Sequence, residues 1–186
     1  MPIPMSAEPI PFDLDDAWAT ALAQAETQAR ASGRYDISEY LKLRSSNDFI
    51  RKTACDWLLS AFSNLAGEMN RNGASLQIST EDNYEFSTGS AVMAGKLLRL
   101  ENGVRQLLVE VGWPRIPKHG FIRGGGLALG HVRHVGIDSA SEQLRLVTST
   151  EGVPAWMLER PAQSYEFNEA QVRRHLNILI DYTRID

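Results

Sequence analysis

Between residues 111 and 137 the chain carries Arg115, Lys118, Arg123 and Arg133 and not one Asp or Glu. The whole chain is acidic, with 19 Lys and Arg against 23 Asp and Glu, net −4. The same stretch holds His119, His131 and His134, three of the four histidines, and the run Gly124-Gly125-Gly126. Consecutive glycines let backbone N–H groups converge on an anion, and neighbouring Lys and Arg add charge. The proline-punctuated segment from Trp113 to Gly120 reads as a loop feeding the glycine run. The chemistry available to Arg115, Lys118, His119, Arg123, Gly124, Gly125, Gly126, His131 and Arg133 is therefore anion contact. The plain alternative is a solvated basic surface, with the glycines marking a bulge or a close backbone approach.

His131 and His134 lie three apart on an expected strand, so they point to opposite faces and cannot chelate one metal without a bulge. His131 and Arg133 share a face with Leu127, Leu129, Val135 and Ile137; Ala128, Gly130, Val132, His134 and Gly136 form the other. If the bulky face is core, His131 and Arg133 need partners, Glu110 or another carboxylate, or they line a wet cavity. If the small-residue face lies under a helix, they are exposed. An acid–base role for His119 or His131 with Glu110 orienting the ring is conceivable, but no spacing supports it. Trp156 and Met157, between Pro154 and Pro161, are either an interface patch or a last strand closing the sheet.

Other chemistries are missing. Cys55 stands alone, which excludes a disulfide framework and multi-cysteine metal sites. It falls beside Leu58 and Phe62 on a helical stripe and reads as a buried thiol. From Gly89 to Leu97 the sequence approaches a P-loop, but five residues separate its glycines and Leu97 replaces the hydroxyl that would hold magnesium. Gly124 to Gly130 approaches a dinucleotide fingerprint, but its last glycine is displaced and a strand, not a helix, follows. Neither HExxH, GxSxG nor an EF-hand loop is found. These patterns call for no cofactor and no metal. The first residues show neither the basic nor the apolar segment of a secretory leader, and no run approaches a membrane span. With a free cysteine, the expected compartment is the cytoplasm. The acidic total and the scarcity of aromatics beside the basic residues argue against nucleic acid.

The elements that must position these groups follow from periodicity. Residues 1–12 contain Pro2, Pro4, Pro9 and Pro11 and read as an extended, loosely held arm. A single α+β domain is expected over 13–186, helical over 13–73, sheet over 75–160 and helical again over 168–183. Asp13 is an acceptable cap for a first helix whose face, Trp18, Leu22, Ala25 and Ala29, is too small to pack strongly; Gly33 ends it. A second helix is expected to start at Ser45 or Ser46 and to bury Ile50, Ala54, Trp57, Leu58, Ala61, Phe62, Leu65 and Met69. The period then falls to two. Asn102-Gly103 predicts a type I′ hairpin with Glu101 opposite Val104 and Leu98 opposite Leu107. One face then carries Val92, Ala94, Leu98, Leu100, Leu107, Val109, Val111 and Trp113 as core, while the other holds Arg99, Gln106 and Glu110 with only Leu97 and Leu108 as a bulky apolar pair. Strands follow over 127–137, 143–149 and 153–158. Asn168 with Gln171 forms a capping box for a last helix with the stripe Val172, Leu176, Leu179 and Ile180.

Clustered strands that do not alternate with helices predict an α+β fold, an antiparallel meander of about five to seven strands. A long helix from the N-terminal half and a C-terminal helix cover it. The expected function is a non-enzymatic binding module that contacts another protein, or itself, through a basic Gly-rich surface at 113–134. The alternative is a protein that binds an anionic or amphipathic small molecule between sheet and helix.

Overall fold

Alternation with period two over Gln77–Leu158 becomes an antiparallel meander in the computed structural model, which describes residues 14–149, 151–159 and 164–181. The expected arm over 1–12, the Asp13 cap and the chain beyond 181 lie outside the described residues. The chain divides into two compact units at residues 49 and 50.

The first unit contains α1 (Leu14–Ala31) and the opening turns of α2 (Tyr35–Arg71). Gly33, at φ +75°, makes the turn between them. The small apolar face packs as thinly as its composition implies. Leu22 and Ala29 are buried, whereas Ala25 and Trp18 are exposed. Trp18 is held by polar contacts: its indole N–H donates to Asp48 at 3.4 Å, and the Arg44 guanidinium stacks 5.0 Å from its ring centroid.

Helix α2 begins at Tyr35, ten residues before the expected serine cap. Ser45 and Ser46 sit inside it; serine favours a cap but is tolerated mid-helix when flanking residues such as Leu41, Lys42, Leu43 and Arg44 are good helix formers. In the second unit its buried face is Ala54, Cys55, Leu58, Leu59, Phe62, Leu65 and Ala66. Trp57 lies off that face, 48% exposed, because the stripe is centred on Leu58 and Phe62. Asn70 clamps the end of α2 to the sheet, donating to the Leu76 carbonyl and accepting from its N–H, both at 2.8 Å.

The sheet has seven strands in chain order: β1 (Gln77–Thr88), β2 (Ala91–Asn102), β3 (Arg105–Trp113), β4 (Ala128–His134), β5 (Glu142–Thr148), β6 (Pro154–Leu158) and β7 (Tyr165–Glu166). Each pairs antiparallel with the next. The β2–β3 hairpin falls where Asn102-Gly103 placed it, but two residues out of the expected register. Asn102 pairs with Arg105 and Leu100 with Leu107, so Gly103-Val104 is the loop. Gly103, at φ +61°, takes the first central position, where a primed turn needs a positive φ. A shift of two keeps every side chain on its face, so the core assignment is unaffected.

That core joins Leu98, Leu100, Leu107, Val109, Val111, Val132, Leu144 and Leu146 to α2 and to α3 (Glu169–Ile180), whose Val172, Leu176 and Leu179 are buried. Asn168 and Gln171 form the expected capping box. At the other end of α3, Asn102 and Arg105 of the hairpin donate to the carbonyls of Leu179 and Ile180. They satisfy acceptors that a helix leaves open, with a cation at the negative end of its dipole.

The opposite sheet face is not simply solvated. Phe86, Ala91, Met93 and Leu129 form a second buried cluster, with Tyr84 and Ile122 against it. It exists because the β1–β2 hairpin curls over β3 and β4. Gly95 and Gly112 face each other in the register, and a Cβ on Gly95 would run into the Val111 carbonyl and lie 2.6 Å from Gly112 Cα. Only paired glycines allow this approach. A bulge at Asn83, φ +59°, re-aims the rest of β1.

Candidate functional site

The small-residue face of β4 is the one under the helices: Ala128, Val132 and His134 are buried there. His131 and Arg133 consequently project into the concavity of the curled face, where Glu110 reaches both. Arg133 forms a two-pronged pair with it, Nε to Oε2 at 3.0 Å and Nη2 to Oε1 at 2.7 Å. His131 Nδ1 lies 3.3 Å from Oε2, and the Tyr84 hydroxyl donates to Oε1 at 2.8 Å. Thr88 Oγ1 lies 3.1 Å from His131 Nε2, and the Phe86 ring packs 5.0 Å from the imidazole. Tyr84, Phe86 and Thr88 come from β1, which is not a sheet neighbour of β4; the curl alone brings them here.

Glu110 is 2% exposed. Burial pushes its carboxyl pKa up, but hydrogen bonds from His131, Arg133 and Tyr84 outweigh burial and hold it at about 2. Burial and the bond to this carboxylate raise Tyr84 above its ordinary value. A carboxylate this acidic, with both oxygens occupied, is a poor proton acceptor. It works as a clasp between the curled hairpin and the middle of the sheet.

The rest of the basic segment divides in two. Arg115 is tied inward: its guanidinium lies 3.8 Å from the Trp113 ring centroid, and its Nε donates to the Ala94 carbonyl at 3.4 Å. His119 accepts from the Arg115 N–H at 3.4 Å and lies 4.0 Å from Glu85, not beside Glu110. Lys118, inside the short 3-10 turn Pro117–His119, and Arg123, beyond it, are both exposed. Ile116, just before Lys118, and Phe121, between the two cations, are also exposed, and the spacing analysis did not single them out. Gly124, Gly125 and Gly126 are exposed and all at positive φ.

Trp156 is 3% exposed, with its indole N–H donating to the Ala54 carbonyl at 3.0 Å, so it is a core residue and not an interface anchor. Met157 is half-buried on the curled face, opposite Arg145 and Glu166. A second polar chain lies on the helix side: Glu142 Oε2 is 2.9 Å from His175 Nε2, and His175 Nδ1 is 3.0 Å from His134 Nε2. Burial, then His175 and Arg174, push the His134 pKa down to about 4. This chain fastens α3 to β4 and β5. His175 and Glu142 carry no local sequence signal, since their meeting depends on α3 folding back onto the sheet.

Among the described residues, no group of three or more His, Cys, Asp or Glu is arranged to hold a metal ion, and no helix is long and apolar enough to cross a membrane. Compared with known proteins, the chain matches no family model, no curated protein and no solved structure.

Proposed function

We propose that this protein is a non-catalytic interaction module that docks an acidic segment of another protein on the loop 114–126. The observation that carries the reading is an alternation on the loop surface. Ile116 and Phe121, 51% and 75% exposed, are interleaved with Lys118 and Arg123, exposed cations with no ion-pair partner among the described residues. Burying a side chain such as Phe121 contributes about 1.5–3 kcal/mol, and flanking cations orient and steer an acidic partner. Both ends of the loop are anchored, by buried Trp113 under Arg115 and by the Leu127 N–H on the Leu146 carbonyl at 2.7 Å. An anchored loop loses little further entropy on binding.

The test is capture of a partner from cell extract by the wild-type chain, by the charge-reversed pair K118E/R123E and by F121S. The reading expects one retained partner, lost with either variant and released by raised salt. Equal retention by all three, or retention that salt leaves unchanged, overturns it.

A further inference from the structure

Arg145 on β5 faces the same side of the sheet as Arg133 but is differently served. Arg133 offers Nε and Nη2 to Glu110 and both are taken. Arg145 offers the same fork; Nη2 pairs with Glu159 Oε1, while Nε is buried with no hydrogen-bond partner. Among the described residues it is the one buried side-chain nitrogen or oxygen in that condition. A buried guanidinium N–H left without an acceptor is unfavourable, and the two N–H groups on that edge are spaced for two oxygens of a single acid group.

The triple glycine lies across this arginine. Gly124, Gly125 and Gly126 have φ of +76°, +80° and +117°. A Cβ on Gly124 would stand 2.5 Å from Arg145 Nη1, and one on Gly126 would stand 2.8 Å from Cγ. A side chain at either position would thus be both strained and obstructed. At Gly125 a Cβ would meet nothing within 4 Å, so the arch is open on its outer side. The arch is pinned where it ends: Arg51 Nε donates to the Leu127 carbonyl at 2.8 Å. Where it begins, exposed Arg123 adds a cation with no ion-pair partner among the described residues. Residues 111–137 supply no carboxylate that could reach the fork.

We propose that Arg145, Arg123 and the backbone of Gly124–Gly126 bind a tetrahedral oxyanion, an inorganic phosphate or a phosphomonoester. Glu159 engages Arg145 through one oxygen and is itself about one-third exposed. It acts as an internal competitor: the oxyanion exchanges with it, fills both halves of the fork, and meets Arg123 and the glycine N–H groups as further donors. This site shares Arg123 and the end of the loop with the docking alternation, but it rests on Arg145 and the glycine backbone, so it stands without that reading.

The experiment is a titration of the full chain with inorganic phosphate at constant ionic strength. It is followed by amide and arginine Nε–H resonances, with sodium chloride as control and phenyl phosphate as the ester arm. The expected result is saturable shifts at Gly124–Gly126 and at Arg145 Nε, weakened about tenfold or more in R145K, which keeps the charge but lacks the fork. R123Q, at an exposed position, weakens binding without altering the thermal melt. E159Q, which removes the competitor, tightens it severalfold. Saturation by phenyl phosphate alone assigns the site to esters, and by both ligands to the phosphate group. Shifts that fail to saturate, affinity unchanged in R123Q, or E159Q binding more weakly than wild type would each overturn the proposal.

Discussion

Glu110 shows how one carboxylate fixes the shape of a sheet face. Its oxygens take Arg133, His131 and Tyr84, groups from β4 and β1. Glu110→Gln keeps the shape and removes the charge, leaving Arg133 beside a neutral amide. Because Arg133 is half-exposed, water compensates part of the loss, and we expect about 1–3 kcal/mol at neutral pH, read by urea unfolding. The pH dependence has a definite sign. The folded pKa of about 2 lies below the ordinary 4.5, so the unfolded state binds the proton more tightly. The stabilisation is complete above 4.5 and is lost as pH falls toward 2. Wild type and E110Q should converge across that window; parallel curves would refute the clasp. Strand parity named Glu110 as one carboxylate that could serve His131 and Arg133, but only if the bulky face of β4 were core. With the small-residue face under the helices it called for exposure, which half-exposed Arg133 meets in part and His131 does not. Tyr84 and Thr88 were not legible, because parity says nothing about a curl that carries β1 over β4.

At the scale of elements, the curl rests on Gly95 and Gly112. Gly95→Ala places a methyl group against backbone atoms of Val111 and Gly112, which cannot move aside as a side chain can. We expect a loss of about 3 kcal/mol or more, with the hairpin lifted off the clasp. Urea unfolding gives the first, and disappearance of the Tyr84–Glu110 contact in amide and hydroxyl spectra gives the second. Near-wild-type stability with that contact intact would contradict the account. The capping box at Asn168, the stripe of α3 and the buried Cys55 were all readable, since each depends on residues a few positions apart. The start of α2 and the hairpin register were not. Helical propensity carries α2 through Ser45 and Ser46, and the positive φ settles on Gly103 at the first central turn position. The role of the triple glycine was half legible: the need for close approach was visible, but the object approached, Arg145, is nineteen residues beyond Gly126.

For the whole molecule, the two units differ in what they bury. Among described residues up to 49, only Leu22, Ala29 and Ser38 are buried, and Tyr35, Tyr40, Leu43 and Phe49 are exposed. The second unit has a core spanning α2, α3 and the five strands β2 to β6. Helix α2 runs unbroken through the boundary, so one helix samples both environments. Hydrogen exchange should therefore show amides of 38–47 opening at least about tenfold faster than those of 55–66. Uniform protection along α2 would show that the division has no energetic meaning.

Burial of Cys55 in that larger core, 3% exposed and with its pKa pushed up to about 12, has a practical corollary. The thiolate that alkylating reagents require is almost absent in the native chain. A cysteine engineered at Lys118 or Phe121 can therefore be conjugated selectively to a fluorophore or spin label, with the native thiol left in place as a silent spectator.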